Sequence, residues 1–269
     1  GTLVNLTTSV GRNPAGLVEV ARRSGVRIVM GTGFYRAAWH PADLPGRSID
    51  DLVEHMVREI VDGDRATGVR AGIIGEIAAE DLRVAPDSDE VRVLRAAARA
   101  ARLTGAALSL HNQIGRPEKW HVALDVLAEE GLDPSRIVVG RVTGVDAGFV
   151  ESLLRRGVYV QFDTLGAPFF TTIEALDTRP NLNVLLELVR RGHSSRLLVS
   201  QDVCTKFQLR RHGGSGYTFV PLHVVPYLRS KGVADSAIRQ IVETNPADVL
   251  AMRRPQAIVR EPAGAAATR

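Results

Sequence analysis

Cysteine is almost absent from this 269-residue chain, where Cys204 stands alone. A single thiol excludes an internal disulfide and points to a reducing, cytoplasmic compartment. Aromatic residues make up only 5% and no basic stripe is interleaved with them, although the net charge is +4. Arginines such as Arg92, Arg95, Arg99 and Arg102 are spread along a helical pattern. That is the spacing of a solvated face, so nucleic acid is not an expected partner. Long apolar runs are also missing. None approaches the roughly 18 residues needed to cross a bilayer, which removes the membrane from the expected partners. No signal-peptide pattern is visible. The chain opens at Gly1 inside an apparent strand without an initiator Met, which is compatible with a removed leader.

What is present is an ordinary globular composition, 45% apolar and 24% charged, long enough for one α/β barrel or two smaller domains. Strand-like and helix-like segments alternate throughout. Strands are expected over 3–8, 27–32, 71–77, 107–111, 137–142, 158–163 and 197–202. Helices are expected over 14–24, from 48 onward, over 88–104, 118–130, 146–156 and 181–192, and in pieces to about residue 252. In the helix from 48, Ile49, Leu52, Val53, Met56, Ile60 and Val61 recur at helical spacing. Gly25, Gly68 and Gly157 each precede a Val at a strand entry, as helix C-caps do. Alternating βα units with apolar strands imply a parallel sheet covered by helices. The repeat spacing and the chain length favour a closed barrel of the TIM (β/α)8 type over an open sheet. Such a barrel needs eight strands, so the unit without a counterpart is the first. Residues 1–252 read as one barrel domain and 253–269 as a mobile tail.

Three strands lead to side chains with chemistry. Ile73-Ile74-Gly75 runs into Glu76, Ala107-Leu108-Ser109-Leu110 into His111, and Leu197-Leu198-Val199-Ser200-Gln201 into Asp202. Barrel enzymes place their chemistry at the carboxyl ends of strands. Oxygen and nitrogen donors of this kind suit a divalent metal, and Asp202 is also a candidate general base. The remaining candidates read more plainly. His40, in Trp39-His40-Pro41, reads as loop packing. His55, His121 and His193 read as surface residues, while His212 and His223 flank the loop carrying Tyr217. Cys204 has no neighbouring base and reads as inert. Gly213-Gly214-Ser215-Gly216 has no phosphate-loop spacing and reads as a flexible lid.

Several stretches together resemble the phosphotriesterase-related branch of the amidohydrolase superfamily. They are Gly11-Arg12-Asn13-Pro14, Val29-Met30-Gly31-Thr32-Gly33-Phe34-Tyr35 and Arg70-Ala71-Gly72-Ile73-Ile74-Gly75-Glu76-Ile77, followed by Asp133-Pro134-Ser135-Arg136, Gln161-Phe162-Asp163, Asp202-Val203-Cys204, Gly213-Gly214-Ser215-Gly216-Tyr217 and Asn245-Pro246-Ala247. The resemblance implies a TIM barrel with one or two divalent ions, usually zinc, at the strand ends. It also implies a metal-activated water that attacks an ester, lactone or amide of a small-molecule substrate. Position by position, it places Glu76 on the bridging ligand, His111 on the fifth-strand ligand, and Asp202 on the eighth-strand ligand that takes the proton from the nucleophilic water. Tyr35 and Tyr217 fall in loops at the substrate mouth.

The departures from the family pattern carry as much information. The His-x-His pair of the first strand has no counterpart. Arg141 follows Val138-Val139-Gly140 where the family has a sixth-strand His, and Gln201 precedes Asp202 in place of another His. Three of the six ligand positions therefore have their ligand type. Arg is always protonated at neutral pH and does not ligate metals. At the mouth, Arg141 is expected beside Glu76 and Asp202, neutralising them as a cation would, or contacting substrate. Two functions follow. One is a metal-dependent hydrolase whose missing ligands come from a further segment or another chain. The other is a non-catalytic barrel that binds a small molecule or a partner protein, with Arg141 replacing metal charge. An open strand edge at 3–8 suits pairing with another chain, in a homo-oligomer or with a partner that completes the barrel.

Overall fold

A computed structural model describes residues 1–8, 11–80, 88–112, 115–166 and 178–255. Most of the expected tail lies outside these residues. Seven strands form one sheet in chain order: β1 (Thr2–Asn5), β2 (Arg27–Thr32), β3 (Ile73–Ala78), β4 (Ala107–His111), β5 (Ile137–Val139), β6 (Tyr159–Phe162) and β7 (Leu197–Val199). Every neighbouring pair is parallel. Crossover helices join them: α1 (Pro14–Ser24), α2 (Ile49–Val61), α3 (Asp89–Thr104), α4 (Glu118–Glu129), α5 (Ala147–Leu154) and α6 (Thr178–Arg190). Three short helices follow β7, namely α7 (Val225–Ser230), α8 (Asp235–Arg239) and α9 (Asn245–Leu250). This is the βα repeat of a TIM-type barrel, with β1 and β7 as the sheet's edges.

The helices begin close to where the sequence indicates, but of the three glycines expected as C-caps only Gly25 fills that place, since α2 is capped by Asp62 ahead of Gly68 and α5 by Arg155 ahead of Gly157. Asn13 accepts a hydrogen bond from the Gly16 N–H ahead of Pro14, and Gly25 closes α1 in the left-handed region at φ 68°. Ser48 and Asp51 form a reciprocal capping box at the start of α2. Ser88 and Gly105 bracket α3 in the same way as Asn13 and Gly25 bracket α1.

Strand periodicity divides the core in two. Leu108, Leu110, Val139, Val160 and Leu197 face the helices in the main cluster. On the opposite face, Ile73, Ala107, Val138, Tyr159 and Leu198 form a second cluster closed from below by Val249 of α9. Two-residue alternation carries this inner face from Ala107 through Ser109 to His111, from Tyr159 to Asp163, and from Leu198 to Asp202. The inner surface is therefore apolar at its base and ionisable at its rim. Five strands, β1, β3, β5, β6 and β7, are shorter than expected, and in two of them this moves a site residue. β5 ends at Val139 and β7 at Val199, so Arg141 and Asp202 lie in the loops that follow and are not the last residues of strands.

Candidate active site

Glu76 reaches the inner face through an irregularity. The β3–β4 register shifts between Ile74 and Ile77, and both of those isoleucines pack outward. Gly75 and Glu76 are the two residues between them, as in a bulge that re-aims a side chain. Gly75 has φ 133°, and a Cβ there would sit 2.6 Å from the Ser109 carbonyl oxygen. Glycine is thus required for β3 to lie this close to β4.

Beside Glu76, His111 is held between two carboxylates. Its Nδ1 lies 3.2 Å from Glu76 Oε2 and its Nε2 lies 3.3 Å from Glu80 Oε1. Burial opposes the charged ring, but the bonds to Glu76 and Glu80 outweigh it and raise His111 to about 9. At neutral pH both nitrogens therefore carry protons. Glu80 is itself braced by Arg36 at 2.8 Å, and its backbone N–H donates to the buried Glu90. Burial resists ionisation of Glu80, yet His111 and Arg36 hold its carboxyl below the usual range. The Tyr35 hydroxyl sits 3.2 Å and 3.3 Å from the two His111 nitrogens, with the rings edge-on. Burial, with Glu76 nearby, raises the Tyr35 phenol and keeps it protonated.

The other half of the rim centres on Arg141. Its Nη1 donates to Asp202 Oδ2 at 2.6 Å, and its backbone N–H donates to Asp163 Oδ2 at 2.7 Å. Alternation from Val138 would turn the Arg141 side chain outward. A left-handed backbone at φ 56° breaks the alternation and turns it in. Asp202 is also left-handed, at φ 46°. Gly140 leaves the space that Asp163 uses, since a Cβ there would stand 2.9 Å from Asp163 Oδ2. Asp163 is fully enclosed, and burial, reinforced by Asp202, raises it to about 7. Burial also raises Asp202, with Glu76 adding to the shift and Arg141 opposing it. Asp163 Oδ1 and Arg141 Nε are buried without hydrogen-bond partners among the described residues.

The structure thus brings together Glu76, His111, Asp202, Arg141 and Tyr35. Tyr217 is exposed at 55%, and the neighbouring Gly216 carbonyl accepts a bond from Gln201 Nε2 at 2.6 Å, which tethers its loop beside the rim. Sequence reasoning did not single out Glu80 or Asp163 as site residues. Asp163 carried the same signal as the others, an acid following an apolar strand, whereas Glu80 follows its strand by two residues and left no pattern. His40 packs its loop, with Nε2 bonded to the Tyr35 carbonyl at 3.0 Å. Burial, with Asp202 and Glu76 nearby, pushes the Cys204 thiol up to about 11, which keeps it protonated at neutral pH. A separate charged cavity of about 550 Å³ lies along α2, lined in part by Arg47, His55, Arg58 and Glu59. Glu59 is buried there, bonded to Arg12 at 2.6 Å and to the Thr32 hydroxyl, and so anchors the end of β2.

A transition metal takes a neutral imidazole nitrogen and free carboxylate oxygens. In this arrangement His111 presents both nitrogens to carboxylates and Asp202 Oδ2 accepts from Arg141. Among the described residues, no three His, Cys, Asp or Glu side chains form a group able to hold a metal. The residues as arranged do not fit the metal centre that the resemblance implies. No helix among the described residues is long and apolar enough to cross a membrane.

Comparison with known proteins places this rim in context. The model of the Phosphotriesterase family matches residues 1–250. The phosphotriesterase homology protein of Escherichia coli is 30% identical over 246 residues, covering 88% of this chain and 78% of its own. Its crystal structure with phosphate in the active site superposes with a TM-score of 0.84 at 29% identity, covering 93% of this chain and 84% of that one. A resiniferatoxin-binding protein from Rhodobacter sphaeroides is 34% identical with a TM-score of 0.86, covering 93% and 70%. Human N-acetyltaurine hydrolase is 29% identical, covering 91% of this chain and 72% of its own.

Proposed function

Because this chain belongs to the phosphotriesterase family, we propose that it is a hydrolase that cleaves a carboxylic ester, lactone or amide of a small molecule at the inner rim of the barrel. The observation that carries this reading is the convergence of Asp202, Arg141, Glu76, His111 and Tyr35 at the carboxyl ends of the strands. Relatives named N-acetyltaurine hydrolase and a Deinococcus radiodurans lactonase support a reaction at a carbonyl carbon. In the proposed reaction a water oxygen attacks that carbon while its proton passes to Asp202. A carboxylate raised by burial is a better base near neutral pH than a solvated one. The Arg141 guanidinium, beside Asp202, stabilises the charge that develops on the carbonyl oxygen. Collapse of the tetrahedral intermediate breaks the carbon–oxygen or carbon–nitrogen bond, and Asp202 returns the proton to the leaving group. Tyr35 donates from the opposite wall, and Tyr217 borders the entrance. No step passes through zinc or another divalent ion, since the donors are already engaged.

A panel of esters, lactones and N-acyl amides assayed with the wild type and Asp202→Asn tests this reading. The variant is expected to lose at least about a hundredfold in kcat. Hydrolysis by Asp202→Asn at the wild-type rate would overturn the proposal. A second reading, a barrel that binds without turnover, is favoured by the Arg141–Asp202 ion pair, which occupies the same carboxylate oxygen that would accept the proton. Saturable binding of a panel member without product would select it.

A further inference from the structure

We infer that in this chain the guanidinium of Arg141 takes the place of a divalent cation among the rim acids, so that the site holds its positive charge covalently. The inference takes from the proposed function only the location of the site.

The first support is backbone geometry. An arginine directed to solvent after β5 would need only continued alternation. Here Arg141 turns inward through φ 56° and Asp202 turns to meet it through φ 46°, a region that disfavours residues with a Cβ. Two independent left-handed residues meeting in one 2.6 Å ion pair indicate that the surrounding structure holds this contact in place. Glycine at 140 then leaves Asp163 free to accept from the Arg141 N–H. One residue is thus fastened to two acids, through its side chain and its main chain.

The second support is charge. Glu76, Glu80, Asp163 and Asp202 face Arg36, His111 and Arg141. The cluster is close to balanced with its own cations, and a divalent ion would add positive charge directly against a fixed guanidinium. The third support is the permanence of the charge: a guanidinium stays protonated at neutral pH and is part of the chain, whereas a metal exchanges with solvent.

The test reads metal and stability with no substrate present. The 269-residue chain and Arg141→His are each incubated with excess zinc chloride, desalted without chelator, and analysed by plasma mass spectrometry and thermal melting. The wild type is expected to retain below about 0.1 zinc per chain and to melt at the same temperature with and without zinc. Arg141→His is expected to retain about one zinc, because a neutral imidazole there would join Asp202 and Glu76 as a third ligand. Zinc at about one per wild-type chain, or a zinc-dependent rise in its melting temperature, would overturn the inference. So would a folded Arg141→His that loads no zinc. Should Arg141→His fail to fold, Arg141→Lys, which keeps the charge, serves as the second variant; it is expected to stay metal-free, and zinc loading by it overturns the proposal. Failure of the hydrolase assay leaves these readouts untouched, and an active enzyme that carries zinc would sink this inference while leaving hydrolysis at the rim standing.

Discussion

Gly140 is the smallest residue in the site, and its lack of a side chain has consequences for the largest. A methyl group there would press on Asp163 Oδ2 at 2.9 Å and on the Leu110 carbonyl at 3.0 Å. Neither neighbour has room to retreat, since Asp163 is fully enclosed and Leu110 is in the core. Gly140→Ala is expected to cost roughly 1–3 kcal/mol by overpacking, measurable by chemical denaturation. It should also loosen Arg141, whose N–H depends on the displaced carboxylate. An unchanged denaturation midpoint would show that Asp163 is less constrained than its contacts imply. Asp202 and His111 were legible as single residues because each follows an apolar strand. The inward turn of Arg141 was not, because strand alternation predicts the opposite face and only its positive φ reverses it.

Among the elements, α2 ties the site to the outer layer. Its capping box, Ser48 with Asp51, fixes where the helix starts, and near the other end of its thirteen residues it places Glu59 against Arg12 and Thr32. Thr32 ends β2, and Tyr35 follows three residues on. Ser48→Ala is expected to lower stability by about 1 kcal/mol, the usual effect of losing an N-cap. Glu59 at the far end keeps its partners, so this loss should appear in melting without altering ligand affinity at the rim. A large change in affinity would mean that the helix start, and not Glu59, positions Tyr35. The start of α2 at Ser48 and the end of α1 at Gly25 were readable because their signals are local. The bulge at Gly75-Glu76 was not readable as a change of face, since its effect depends on the register of β4.

At the scale of the whole molecule, two rim groups, His111 and Asp163, make stability fall as pH rises, while the lowered carboxyl of Glu80 acts the other way, only in the acid range. His111 is raised to about 9, so the stability it contributes is fully present below its ordinary value near 6.5 and is lost as pH rises through about 9. Asp163 is raised to about 7 from an ordinary value near 4, so the folded state holds its proton more tightly and loses that advantage as pH climbs from about 4 to 7. Both contributions fall with increasing pH. The melting temperature is expected to decline between about pH 6.5 and 9, with His111 accounting for up to roughly 3 kcal/mol, and His111→Gln should flatten that decline. A flat wild-type profile over the same range would contradict the doubly bonded imidazolium.

The amino-acid order by itself determined the βα repeat, the helix starts, the parallel sheet and the ancestry of the rim positions. These follow from periodicity, caps and matched motifs, which act over a few residues or survive as a pattern along the chain. Tertiary structure alone decided what the rim carries. Whether a carboxylate meets a guanidinium, an imidazolium or open space depends on residues 61 positions apart, as with Arg141 and Asp202, arriving within 2.6 Å. Burial then sets their protonation, because desolvation and neighbouring charge are properties of the assembled pocket and not of any segment.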